Sequence, residues 1–158
     1  MEYHHYDCVV HHMIHHKEYI KGPVVDLKLI HFYADNPSDH IPFYWYDIML
    51  GSLSIGNISL RLGYNETTIP NGHVGYEINF DFQGHNYSYY ALEMIKALAM
   101  DHGYRCLLVS TTKENMQSQR TIGKAGGKIV MSDYEVPKDH IFYVIGKQTM
   151  NVYEIALG

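Results

Sequence analysis

The stretch of sequence that decides the fold is Gly75-Tyr76-Glu77-Ile78-Asn79-Phe80-Asp81-Phe82-Gln83-Gly84-His85-Asn86-Tyr87-Ser88. Large apolar residues alternate with polar residues before Gln83, which predicts a β-strand. Beyond the turn, apolar residues recur at helical spacing and predict an amphipathic helix from about Tyr87 to His102 that ends at Gly103. The apolar stripe of this helix consists of Ala91, Leu92, Ile95, Leu98 and Ala99. The sequence therefore predicts a strand that leads through a tight turn into a helix.

The turn between this strand and this helix is suited to an anion. The first amides of a helix have no partner inside the helix, and the macrodipole places partial positive charge there. A pyrophosphate can therefore bind to the backbone N–H groups of the turn, although residues 83–88 contain no lysine or arginine.

The segment from Gln83 to Ser88 resembles the pyrophosphate loop of the GNAT superfamily of acyl-CoA-dependent N-acyltransferases. That loop has Arg or Gln first, Gly fourth, and Gly or Ala sixth. Gln83 fits the first position, whereas Asn86 and Ser88 replace the usual small residues. Asparagine tolerates left-handed backbone geometry and serine adds only one hydroxyl, so both replacements are mild.

A second signature follows in the order and spacing of the same family. The apolar run Cys106-Leu107-Leu108-Val109-Ser110 is followed by Asn115-Met116-Gln117-Ser118 and then by Lys124-Ala125-Gly126-Gly127. These segments are similar to the family's strand, its N-x-x-S helix and its K-x-G turn. The resemblance covers roughly residues 72 to 131.

The remaining sequence predicts further strands around this unit. Strands are expected at about 24–34, 42–50 and 53–62, and two terminal strands at 141–145 and 152–156. A second helix should begin at Asn115 and close at Gly126-Gly127. We therefore predict an α/β (mixed α+β) GNAT-like fold, with a central mixed, mostly antiparallel sheet and helices on both faces, in one domain over residues 1–158.

The resemblance implies a site for acetyl-CoA, the acyl donor, and for a primary amine acceptor. It implies that the backbone N–H of Ile78 stabilises the oxyanion. Glu77 is the nearest carboxylate and the candidate base, or alternatively an exposed strand glutamate. Ile122 stands where the family often has a tyrosine that protonates the leaving thiolate, so the general acid is unassigned. The expected cofactor contacts are Ile78, Phe80, Gln83, Gly84, His85, Asn86, Tyr87, Ser88, Asn115 and Ser118.

Several of these residues also have a purely structural interpretation. Asn115 either caps its helix alone or also faces the pantetheine arm. Ser118 is either a surface hydroxyl or a cofactor contact. Arg120 and Lys124 either meet the phosphates or remain solvated.

Composition argues against several other classes of protein. The net charge is -5 without a basic cluster, which argues against a nucleic-acid partner. No apolar stretch is long enough for a membrane span and no signal peptide is evident, so we expect a cytoplasmic protein. Cys8 and Cys106 fit no zinc spacing and are expected to be reduced thiols, and a homodimer remains open.

Histidines and aromatic residues form two further patterns. His4-His5, His11-His12 and His15-His16 cluster near the start; on a helix, pairs four residues apart would either chelate a divalent ion or form a solvated face, which is the interpretation we favour. His102 and His140 are expected at the surface. In residues 43–46, alternation predicts that either the two tyrosines or Phe43 with Trp45 lie in the core.

Two other functions remain open at this stage. One is a GNAT-fold protein that binds acyl-CoA as a sensor or interaction module without turnover. The other is a histidine-rich metal-binding protein unrelated to CoA.

Overall fold

A computed structural model describes residues 5–158, and its eight strands form two sheets. The strands are β1 (Tyr19–Ile20), β2 (Asp26–Tyr33), β3 (Phe43–Leu50), β4 (Leu53–Arg61), β5 (Val74–Ile78), β6 (Cys106–Thr111), β7 (Gly127–Glu135) and β8 (Thr149–Ala156). The helices are α1 (Thr68–Asn71), α2 (Tyr87–Asp101), α3 (Met116–Lys124) and α4 (Ile141–Val144), with a 3-10 turn at Phe80–Phe82. This is the predicted mixed α+β fold with mostly antiparallel pairing.

The larger sheet has the order β1-β2-β3-β4-β5, and all its pairings are antiparallel. Its central strand β3 confirms the predicted alternation, because Tyr44 and Tyr46 are fully buried while Phe43 and Trp45 are half-buried on the other face. The Tyr46 hydroxyl donates to the carbonyl of Lys17 at 2.8 Å. The Tyr44 hydroxyl lies within hydrogen-bond distance of His102 Nε2, so both buried tyrosine hydroxyls have a partner.

Helix α2 packs its predicted apolar stripe into the core. All five residues of that stripe are buried, and the chain leaves the helix through Gly103 at a φ of +89°. Glycine adopts this left-handed geometry without steric cost, which is why the helix ends there. Burial of each large aliphatic side chain contributes roughly 1.5–3 kcal/mol.

A gap separates the two sheets where β5 and β6 lie side by side. The N–H of His73 donates to the carbonyl of Leu108 at 2.7 Å, just before β5 begins. In the part of the chain that the structure describes, no backbone hydrogen bond joins residues 74–78 to residues 106–111. The two strands therefore splay apart beyond His73 and Leu108, which are joined by one backbone hydrogen bond and by the N–H of Leu108 donating to His73 Nδ1 at 2.9 Å.

The smaller sheet has the order β6-β8-β7 and corrects one prediction. Residues 141–145 were expected to be a strand, but Ile141–Val144 form a helical turn because the N–H of Phe142 donates to His140 Nδ1 at 3.0 Å. The missing strand is β7, which the sequence pattern did not predict. Its central residues Ile129, Val130 and Met131 are all partly exposed, because β7 is an edge strand and, among the described strands, pairs only with β8.

One of the histidine predictions was wrong, whereas His11, His12, His15 and His16 are exposed as the favoured interpretation expected. His102 is fully buried rather than exposed: its Nε2 lies 2.7 Å from the Tyr44 hydroxyl and its Nδ1 lies 2.7 Å from the carbonyl of Val10. His140 is half-buried. His4 lies outside the described residues, and residues 7–16 do not form a helix, so the helical pairing of His11 with His15 does not arise.

Candidate functional site

Three adjoining cavities form one continuous depression along β5, which we call the cleft. The first has a volume of about 350 Å³ and lies against the turn before α2. The second, of about 410 Å³, shares Ile78, Gln83, Ser88 and Gln117 with it. The third, of about 210 Å³, shares Tyr76, Asn115, Ser118 and Lys147 with the second and lies between β5 and β6. A long ligand can therefore extend from the turn into the gap between the strands.

The turn offers a run of free backbone donors. Within residues 5–158, no group accepts a hydrogen bond from the N–H of any residue from 84 to 89, and the helical bonds begin with Tyr90 donating to the carbonyl of Asn86 at 3.2 Å. Gly84 has a φ of +87° and Asn86 a φ of +63°, so glycine and the tolerant asparagine stand where left-handed backbone is needed. These amides and the α2 macrodipole place partial positive charge at this end of the cleft, which is the arrangement that an anion would require.

Helix α3 supplies the cations that the turn lacks. Arg120 and Lys124 both line the first cavity, opposite Gly84 and Asn86. The Lys124 Nζ lies 4.5 Å from the centre of the Tyr89 ring, which holds the ammonium group near the turn. Ser88 Oγ lies 2.9 Å from Thr121 Oγ1, so the turn and α3 are directly joined.

The backbone of β5 presents donors to the gap. Arg61 N–H bonds to the carbonyl of His73 and Asn79 N–H to the carbonyl of Ile55, which fixes the alternation of hydrogen bonds between β4 and β5. In an antiparallel pair, every second residue turns its N–H away from the partner strand. Val74, Tyr76 and Ile78 are these residues in β5, and the N–H groups of Tyr76 and Ile78 lie where the gap to β6 opens.

The cleft contains a tyrosine hydroxyl, although the tyrosine that the family often has at the position of Ile122 is missing. Ile122 is fully buried in the core and cannot reach the cleft. The Tyr76 hydroxyl lies 2.9 Å from the Ser118 hydroxyl, and burial raises the pKa of Tyr76 to about 12. Tyr76 therefore keeps its proton at neutral pH, so its hydroxyl is present in the cleft as a hydrogen-bond donor.

Asn115 caps α3, as its type and position suggested. Its side-chain oxygen accepts a hydrogen bond from the N–H of Ser118 at 3.0 Å. The residue also lines the second and third cavities, so the cap and a ligand contact are compatible.

The structure brings most of the predicted site residues together. Ile78, Gln83, Gly84, Asn86, Tyr87, Ser88, Asn115 and Ser118 all line the cleft, and so does Glu77. The Gln83 side chain donates to the carbonyl of Ile78 at 3.0 Å and closes the turn onto β5. Phe80 is 85% exposed and, like His85, lies outside the lining of these three cavities.

Sequence reasoning did not select Tyr76, Gln117, Thr121 or Lys147 as site residues. Tyr76 stands one residue before Glu77 in the decisive stretch, so its position was a usable signal. Lys147 lies after α4, just beyond the segment 141–145 that was wrongly predicted as a strand, and no sequence pattern connects it to the cleft.

A separate cavity of about 570 Å³ lies beside the third cavity of the cleft and shares Asn71 and Phe142 with it. We call this the side cavity. Its lining includes Asp39, Glu66 and Asp139. Asp39 is buried and accepts from Arg61 Nε at 3.1 Å, whereas Glu66 and Asp139 are exposed. The side cavity therefore carries more negative than positive charge.

No protein-family model matches the sequence, and no curated protein matches it either. Solved structures of acetyltransferases, however, are similar in fold. The microcin C7 self-immunity acetyltransferase MccE, in complex with acetyl-CoA and AMP, superimposes with a TM-score of 0.56 at 13% identity, over 73% of this chain and 61% of that chain. This chain thus spans about three fifths of that relative's length.

Two further structures are similar at the same level. The acetyltransferase from Salmonella typhimurium that modifies the N-terminal serine of ribosomal protein L7/L12 gives a TM-score of 0.57 at 14% identity, over 73% of this chain and 64% of that one. An acetyltransferase from Thermus thermophilus gives 0.52 at 22% identity, over 73% and 64%. The chain therefore has the fold of the GNAT acetyltransferases.

Proposed function

We propose that this protein transfers an acetyl group from acetyl-CoA to a primary amine. The observation that carries the proposal is the cleft itself, with free amides of residues 84–89 at one end and the splayed strands β5 and β6 at the other. Pyrophosphate binds at the turn, and the pantetheine arm follows β5 into the gap. The complex of MccE with acetyl-CoA and AMP supports the choice of ligand, and so does the complex of RimL, an alpha-N-protein acetyltransferase of ribosomal L7/L12, with coenzyme A.

In the proposed reaction, the amine nitrogen attacks the thioester carbonyl carbon. A carbon–nitrogen bond forms, the carbon–sulfur bond breaks, and CoA leaves as a thiol. The developing oxyanion accepts a hydrogen bond from the N–H of Ile78, which faces the gap. This backbone donor needs no reorganisation because the β4–β5 pairing fixes its direction.

Two side chains are proposed to move protons. Glu77 is exposed in the wall of the cleft and makes no side-chain hydrogen bond or ion pair within the described part of the chain, so it is free to accept the amine proton directly or through water. Tyr76 donates the proton that the leaving thiolate requires, with Ser118 holding its hydroxyl in place.

The acceptor is proposed to enter through the side cavity. This cavity adjoins the gap between β5 and β6, and the acetyl group would lie in that gap. Glu66 and Asp139 favour an amine that arrives as an ammonium ion, since opposite charges raise its local concentration. The proton must then be removed before attack, which is the proposed role of Glu77.

Two observations favour a second candidate function, a protein that binds acyl-CoA without turnover. Ile122 fills the core where the family often places its acid, and Asn86 and Ser88 replace the usual small residues of the loop. The two functions differ in thiol release from acetyl-CoA with a panel of mono-, di- and polyamines and peptides. Amine-dependent thiol release supports the transferase; binding of acetyl-CoA without release by any amine supports the second function.

A further inference from the structure

Outside the cleft, three side chains of metal-ligating type converge beneath the start of the described chain. Cys106 stands at the start of β6 and is buried, Glu154 stands on β8, and His5 comes from the segment that covers them. The Cys106 Sγ lies 3.6 Å from His5 Nε2, and His5 Nε2 lies 3.7 Å from Glu154 Oε2. All three ligand atoms lie within 4.8 Å of one another.

We propose that His5, Cys106 and Glu154 form a binding site for a divalent transition-metal ion of the zinc class. A tetrahedral zinc ion with bonds of about 2.3 Å to sulfur and about 2.0–2.1 Å to nitrogen and oxygen separates its ligand atoms by roughly 3.3–3.6 Å. The two observed separations are close to these values. A mixed sulfur, nitrogen and oxygen set suits zinc better than magnesium or calcium, which prefer oxygen alone.

The sheet holds two of the three ligands in place. Cys106 pairs with Ala156 and Leu108 pairs with Glu154, so Cys106 and Glu154 are diagonal neighbours on one face of the β6–β8 pair. The third ligand, His5, has a side chain that is 54% exposed, which leaves an entry path and room for a water ligand. Binding releases the thiol proton to solvent, and the thiolate and the carboxylate together neutralise the charge of the ion.

A hydrogen bond outside the ligand set supports the arrangement. The Tyr6 hydroxyl donates to Glu154 Oε2 at 2.7 Å, and carboxylates that bind metals are commonly held by such a donor. Tyr6 is itself stacked on Tyr64 with ring centres 5.7 Å apart. The carboxylate is therefore oriented before any ion arrives.

A second group, Asp7, Cys8 and His11, provides the matched comparison. Here His11 Nε2 lies only 2.8 Å from Asp7 Oδ1, which also accepts from the N–H of Cys8 at 2.7 Å. These are hydrogen-bond distances, shorter than the spacing around a zinc ion. The group is therefore already satisfied internally, although it contains the same types of ligand.

The test is titration of the full chain with Co²⁺, a spectroscopic substitute for zinc, in the reduced state. Because the chain has two cysteines, a near-ultraviolet thiolate-to-cobalt band reports on one of these two groups. We expect the band in the parent and in Cys8→Ser, and its loss in Cys106→Ser. Loss in Cys8→Ser with retention in Cys106→Ser, or no band in the parent, overturns the proposal.

A second measurement guards against misfolding of Cys106→Ser. Zinc affinity by equilibrium dialysis should fall by at least about tenfold in Glu154→Gln and in His5→Ala, but not in the exposed control His15→Ala. Thermal unfolding of each variant checks that the fold persists. Equal losses in His15→Ala would show that surface histidines bind the metal and would overturn the proposed site.

Discussion

The hydroxyl group of Tyr76 lies 2.9 Å from the hydroxyl group of Ser118, and this contact joins the strand on one side of the cleft to the helix on the other. Both residues line the second and third cavities of the cleft. Ser118 was predicted as a site residue from the sequence, whereas Tyr76 was not. This relationship suggests how the chain replaces the acid lost at Ile122.

If Tyr76 protonates the leaving thiolate, Tyr76→Phe should lower kcat while leaving the affinity for acetyl-CoA nearly unchanged. A thiolate leaves readily, because a thiol pKa of about 8–9 is low, so the expected loss is only on the order of tenfold. Steady-state kinetics and calorimetry together measure the two effects. Ser118→Ala is the companion variant and should give a smaller loss; a full parent rate in Tyr76→Phe would exclude this role.

Replacement of the proposed base gives a different pattern. Glu77→Gln should leave acetyl-CoA affinity intact, lower turnover by about 100-fold, and make the remaining rate rise with pH as more of the amine becomes neutral. Glu66→Gln is the comparison, because Glu66 lies in the side cavity and its loss should raise the KM of the amine without lowering kcat. If Glu66→Gln, but not Glu77→Gln, reduces turnover, the base has been assigned to the wrong carboxylate.

The cations of α3 should contribute to cofactor affinity. Arg120→Ala and Lys124→Ala should each weaken CoA binding roughly fivefold at low salt, and the difference should shrink as salt is added. Lys28→Ala removes an exposed charge from β2 and should have no effect. CoA affinity that is independent of both α3 cations would mean that the phosphates bind through backbone amides alone.

Two buried histidines should make the fold sensitive to acid. Burial lowers the pKa of His73 to about 4 and also lowers that of His102, whereas the unfolded chain titrates near 6.5. Below about pH 6.5 the unfolded chain binds more protons than the folded one, so stability falls as pH decreases toward the folded pKa values, by up to about 1.4 kcal/mol per pH unit for each histidine.

Urea unfolding at pH 7 and pH 5 measures this loss. In His73→Asn the side-chain oxygen still accepts from the N–H of Leu108, which His73 Nδ1 does at 2.9 Å in the parent. This variant should lose less stability between the two pH values than the parent does. The exposed His85→Ala should behave like the parent, and an equal pH dependence in all three proteins would contradict the assignment.

The sequence predicted the centre of the fold better than its edges. The β5–α2 unit was predictable because its apolar period changes from two to 3.6 at Gly84 and because Gly103 ends the helix. The strand β7 was missed because an edge strand with partly exposed apolar residues shows no clear alternation. The helical turn at Ile141–Val144 was missed because it depends on the His140 side chain, a local contact that periodicity does not reveal.

The candidate site was predictable to a similar degree. Residues proposed to act through the backbone, such as Gly84 and Ile78, belong to contiguous stretches, and the sequence placed them at the cleft. Lys147 and the side cavity arise from segments distant in sequence. His102 was misplaced because its burial depends on Tyr44 and on the N-terminal segment, neither of which is adjacent to it in sequence.

The central claim is that the backbone of the turn before α2 binds acetyl-CoA, and calorimetric titration of the parent, Gly84→Val and Gly51→Val tests it most directly. Both glycines have positive φ, at +87° and +62°, and an added Cβ would meet no protein atom within 4 Å at either. The backbone strain is therefore matched, but only Gly84 faces the cleft. We predict binding in the parent and in Gly51→Val, and loss of binding in Gly84→Val. A parent that does not bind acetyl-CoA, or a Gly84→Val variant that binds as well as Gly51→Val, would contradict the account.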